Sequence, residues 1–149
     1  MSEYHAQTTV FKDQECLVKA LIDCGYSEKD IEIHEQPQQL FDYVGRKTTY
    51  LDKTGDKANV IIRRNKIGYG SANDLGFRFN TVTGTYEAIV SEFDSGTHHW
   101  GANSDRMKKL KSGYAEHNLI KTAKKQGFKY LGKKVVNGKL QIQWLDARK

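Results

Sequence analysis

Cysteine, proline and long apolar runs are all scarce in these 149 residues. The two cysteines, Cys16 and Cys24, fall on one predicted helix, about 12 Å apart along its axis, too far for an internal disulfide. They read as buried thiols, and no cysteine pair has zinc-finger spacing. No apolar run approaches the roughly 18 residues of a membrane span, and MSEYHAQTT holds no signal-peptide core. A cytoplasmic protein with no membrane partner is therefore expected. The single proline, Pro37, falls in a predicted loop over 36–39.

Catalytic signatures are missing as well. There is no Walker loop, and Gly68-Tyr69-Gly70 through Gly76 fails the dinucleotide spacing and leads into predicted β structure. No serine occupies a nucleophile elbow, and neither cysteine has a convincing base partner. Glu32, Glu35, Asp42, Glu87, Glu92 and Asp94 are scattered, so no pair can be given acid and base roles. Nothing specifies an enzyme, a cofactor or a metal site. One alternative is a metal-assisted hydrolase built on His98 and His99, with Asp94 or His117 completing the shell. Consecutive histidines rarely turn both rings to one ion, however. His98, His99 and Trp100 read better as a packing or partner-facing loop.

What the chain has is positive charge, concentrated near its end. The formal charge is +6, yet Arg106 to Lys134 holds ten basic residues against Glu116 alone, leaving the rest of the chain net negative by three. Such asymmetry suits a polyanion or an acidic protein surface. The residues that would carry it are Lys108, Lys109, Lys111, Lys121, Lys124, Lys125, Lys129, Lys133 and Lys134. Nucleic-acid binders usually interleave arginine and aromatics, whereas these are nearly all lysine. A solvated helix face is the ordinary alternative.

The same region has the clearest structural pattern. Ala115, Leu119, Ile120 and Ala123 recur at helical spacing, Gly127 supplies a stop, and Asn137-Gly138 marks a hairpin turn between strands 129–136 and 139–145. Leu140, Ile142 and Trp144 alternate with Gln141 and Gln143, one face buried and one wet. Met107 and Leu110 mark an earlier stripe about half a turn away. Ser112-Gly113 falls between the two stripes, which predicts a break or kink there.

Upstream, a short arm over 1–7 leads into a strand, and Asp13 caps a helix over 14–24 that Gly25 ends. Strands are expected at 31–33, 40–44, 48–51, 58–63, 75–79 and 85–93, with a turn at 53–56 and a loop at 94–103. The chain as a whole reads as one α+β domain over 1–149 with a short tail at 146–149. An antiparallel sheet is covered on one face by two or three helices, followed by a C-terminal helix and β-hairpin. Residues 17–26 and 119–128 share a helix–Gly–aromatic–strand plan that suggests a pair of related units.

Three blocks carry a family resemblance: YHAQTTVFKDQECLVKALIDCGY, then ANVIIRR with LGFRFNTVTGTYEAIVSEFD, then GYAEHNLIKTAKKQGFKYLGKKVVNGKLQIQW. Together they span Tyr4 to Trp144, and the last is the most specific. The chain thereby resembles the hypothetical chloroplast reading frame 35 family, catalogued as domain of unknown function 1257. It departs at Glu3-Tyr4 and in extra residues around 36–57 and 67–75, which suggests a divergent, phage-type member. The resemblance implies no activity, cofactor or catalytic residue. By gene neighbourhood in some members it implies an AAA-type ATPase as partner. The expected function is a small non-enzymatic accessory protein acting by protein binding, with nucleic-acid binding by the nine lysines as the alternative. Tyrosine and tryptophan near a loop would equally suit a homodimer face.

Overall fold

The computed structural model describes residues 3–68 and 71–146. The start of the predicted arm, the tail beyond Asp146, Tyr69-Gly70 of the glycine loop and the side chain of Leu140 lie outside the described residues.

Five antiparallel strands form the main sheet: β1 (Tyr4–Thr8), β2 (Ile31–Gln39), β3 (Lys57–Ile62), β4 (Leu75–Asn80) and β5 (Thr85–Ser91), in the order β1-β5-β4-β3-β2. Helices α1 (Gln14–Asp23) and α3 (Asp105–Lys125) cover one face, and α2 (Glu92–Gly96) is a short turn after β5. The chain ends in a separate ribbon of β6 (Phe128–Val136) and β7 (Lys139–Asp146). The expected α+β architecture and hairpin are present, and Asn137 and Gly138 both take positive φ at the turn, as a type I′ geometry requires.

Period-2 alternation divides the strands between two clusters. Val60, Ile62, Phe77, Tyr86, Ala88 and Val90 face Leu17, Ala20 and Leu21 of α1 and Met107, Leu110 and Tyr114 of α3. Tyr4, Leu40, Ala58, Ile61 and Ile89 form a smaller cluster apart from the helices. The two helices run antiparallel to each other, with Asp13 beside Lys121 and Ala20 beside Gly113. The Tyr114 hydroxyl accepts from the Lys12 and Asp13 amides, pinning the start of α1 to the middle of α3.

Four expectations need correction. No break occurs at Gly113, because α3 is continuous. The shift of stripe has another cause: Met107, Leu110 and Tyr114 face the core, while Ala115 and Leu119 face the ribbon and remain exposed. One straight helix serves two neighbours. Gly113 faces α1, and a Cβ there would lie at ordinary contact distance, 3.4 Å, from the Ala20 Cβ.

Residues 36–39 belong to β2 rather than a loop. That strand is at a sheet edge and its register shifts between Ile33 and Gln38, which makes room for Pro37. Strands at 40–44 and 48–51 reduce to a single bridge between Phe41 and Lys47. The fully buried Asp56 carboxylate instead accepts from the Tyr50, Leu51 and Asp52 amides, replacing ladder partners. The start of the predicted 94–103 loop is helical, in α2, where the Ser91 hydroxyl accepts from the Asp94 amide as an N-cap.

Candidate functional site

The sequence nominated nine lysines and one loop, and the fold distributes both. Lys108 and Lys109 lie at the first turns of α3 and Lys124 and Lys125 at its last, about 24 Å away along the axis. Lys129 and Lys134 lie on β6. These six are exposed and have no hydrogen-bond or ion-pair partner among the described residues. The other three are engaged. Lys121 bridges Asp13 at 2.7 Å and Glu15 at 3.2 Å, Lys133 holds Glu116 at 2.8 Å, and Lys111 donates to the Ala102 carbonyl at 3.1 Å. Hydrogen bonds to Asp13 and Glu15 push the Lys121 pKa well up. Burial acts to raise the Asp13 carboxyl, but Lys121 and the Cys16 amide outweigh it and hold Asp13 below its usual range.

The loop is divided too. His98 is 5 % exposed, and its Nδ1 lies 2.6 Å from Asp94 Oδ1. Asp94 is itself a buried hub that accepts from the Asn73 amide and side chain and from the Ser91 hydroxyl. Trp100 is 1 % exposed and stacks on Tyr26 with ring centroids 6.3 Å apart. Of these three residues it is His99, at φ 62°, that faces solvent. Of the three residues nominated as partner-facing, His98 and Trp100 are thus buried and His99 is exposed. His117 is turned away, with Nε2 2.6 Å from Asp23 Oδ2. Among the described residues no group of three or more His, Cys, Asp or Glu is placed to hold a metal.

Two surfaces emerge that no motif announced. One is the C-terminal ribbon. Its Tyr130 and Trp144 rings meet edge to face at 5.7 Å, and Ile142 and Trp144 line a gap against Ser112, Ala115 and Leu119 of α3. Beyond that contact the ribbon is open. Leu131, Val135 and Leu145 are each more than half exposed, and neither outer edge pairs with another strand among the described residues. A hollow of about 500 Å³ is lined by Lys124, Gly127, Phe128, Lys129 and Tyr130, lysine alternating with aromatic. Exposed apolar residues beside free strand edges are features of interaction surfaces.

The other surface is a cleft of about 370 Å³ where α1 ends and α3 begins, lined by Cys24, His99, Trp100, Asp105, Arg106 and Lys109. Burial pushes the Cys24 thiol up, despite the opposing charge of Lys109, so the thiol stays neutral. Burial likewise raises the Tyr26 phenol, with the nearby Arg106 guanidinium opposing it. Tyr26, Trp100 and Arg106 are too far apart in sequence for any local pattern to link them.

The chain is thus an α+β domain with a two-stranded C-terminal ribbon. The family assignment is direct: residues 26–142 match the sequence model described as "Protein of unknown function (DUF1257)", and the chain belongs to that family. The match begins after α1, so the opening block of the resemblance lies outside it. No match was found among curated proteins or among solved structures. Among the described residues, no helix is long and apolar enough to cross a membrane.

Proposed function

We propose that this chain is a non-enzymatic accessory protein that binds an acidic protein partner on the C-terminal ribbon and the last turn of α3. The observation that carries the reading is the ribbon itself. It stands outside both buried clusters, leaves its strand edges open among the described residues, and exposes Leu131 and Val135 on the strand that carries Lys129 and Lys134, which follows the last turn of α3 with Lys124 and Lys125. An extended acidic segment could add to a free edge through backbone hydrogen bonds, with the lysines steering its approach. The chloroplast reading frame 35 resemblance suggests a divergent, phage-type member, and an AAA-type ATPase is the first partner to try.

The alternation of lysine with Phe128 and Tyr130 also supports a second reading, a platform for single-stranded nucleic acid. Affinity capture from the native host separates the two, using wild type, Lys124→Glu/Lys125→Glu/Lys129→Glu and Leu131→Asp/Val135→Asp. The protein reading expects one stoichiometric acidic partner, lost from both variants. Retention of that partner by both folded variants overturns it. A mobility shift at about 50 mM salt that the lysine variant abolishes would install the nucleic-acid reading instead.

A further inference from the structure

We infer, on the reading of the ribbon as a docking surface for acidic protein, that its occupant when this chain is alone is the β2 edge of a second copy. Charge is divided along the sequence. Residues 1–105 hold sixteen acidic and eleven basic residues, and residues 106–149 hold two acidic and thirteen basic. The acidic part is densest at Glu28, Asp30, Glu32 and Glu35, which lead into and along β2 with Lys29 as the one Lys or Arg in that span. Lys66 and Arg63 reach Asp30 and Glu32, but Arg63 is shared with the buried Asp74. Glu28 and Glu35 are exposed, and their carboxylates have no ion-pair partner among the described residues. Of opposite sign, Lys129 and Lys134 on β6 and Lys139 on β7 are exposed and unpaired in the same sense.

The backbone edges match as the charges do. Among the described residues β2 has only β3 as a ladder partner, at the edge of the main sheet, and the two ribbon strands pair only with each other. Each therefore offers a row of backbone donors and acceptors that another strand can complete. The opposite sheet edge, β1, is five residues long and holds no Asp or Glu. On β2 the register shift between Ile33 and Gln38 and the ring of Pro37 blunt the later part, which leaves residues 31–34 to pair. Ile33, 49 % exposed there, is the apolar counterpart of Leu131 and Val135. Opposite charges on paired strands attract and like charges repel. Two ribbons would refuse each other, as would two β2 edges, so the contact runs from ribbon to edge. Two copies can make it twice, each lending its ribbon to the other, which closes the pair.

Sedimentation velocity on the full chain reads the contact. Wild type should dimerise reversibly between about 1 and 200 µM at about 50 mM salt, and roughly ten-fold more weakly at about 500 mM. Lys129→Glu/Lys134→Glu and Glu28→Lys/Glu35→Lys alter only exposed, unpaired side chains, and each should stay monomeric over that range. Their equimolar mixture should dimerise again, because each contact then joins a reversed ribbon to a reversed edge or a native ribbon to a native edge. Amide exchange at residues 31–34 should also slow as the wild-type concentration rises, a readout that needs no variant. A monomeric wild type, a dimer that persists in either variant, a mixture that stays monomeric, or exchange independent of concentration overturns the self-contact. None of these results decides the capture of a host partner, whose retention or loss judges the ribbon reading by itself.

Discussion

Gly76 and Gly113 are both glycines inside regular elements, and the space around them predicts opposite results for the same substitution. A Cβ on Gly76 would lie 2.6 Å from the Ala58 Cβ and 3.0 Å from a Leu40 methyl, inside the smaller core cluster. Gly76→Ala should cost about 1–3 kcal/mol as overpacking, read as a lower urea midpoint at unchanged m-value. Gly113 has ordinary contact distance to Ala20 and an unstrained helical backbone. Gly113→Ala should therefore stabilise, by up to about 1 kcal/mol of helix propensity, in the same measurement. A kinked helix would reverse that sign. Sequence reading at this scale reached the residues whose role is local: the Asp13 cap, whose carboxylate accepts from Cys16 N, and the Asn137-Gly138 turn. It missed Asp56, read only as part of a turn, because three amides converging on one carboxylate leave no periodic trace.

Among the elements, α1 and α3 are joined by an ion-pair clamp whose pH dependence can be worked out. Asp13 and Glu15 both have lowered carboxyl pKa values: for Glu15 the Lys19 and Lys121 hydrogen bonds dominate, and for Asp13 the Lys121 bond offsets burial. Carboxyls lowered in the fold stabilise it above their unfolded pKa, and that stability is lost as pH falls through the folded values, below about pH 4. Lys121 is raised, so its contribution is complete below its unfolded pKa and vanishes only as pH rises through the higher folded value. Wild type should thus exceed Lys121→Met in stability by a constant margin around neutrality, and the margin should shrink toward pH 3. A margin unchanged between pH 7 and 3 in chemical denaturation would remove the clamp from the stability of the fold. Elements were legible where one face met one neighbour, as in α1 and β7. They were misread where α3 met two neighbours, because a stripe that changes face looks like a bend when only the sequence is seen.

For the molecule as a whole, the buried clusters and the ribbon are separable. Neither cluster includes a residue beyond Tyr114, although the ribbon contributes two strands. An isolated hairpin is marginal on its own, and this one leans on α3 through Trp144, Ile142 and the exposed Lys133–Glu116 pair. A chain ending at Gln126 should keep one cooperative thermal transition, with a midpoint lowered by about 2–8 °C, equivalent to one or two kcal/mol in a chain of this size. Loss of cooperativity would instead make the ribbon part of the folding unit. The shortened protein should also lose the acidic partner. Retention of that partner by the folded truncation would place the binding surface outside the ribbon.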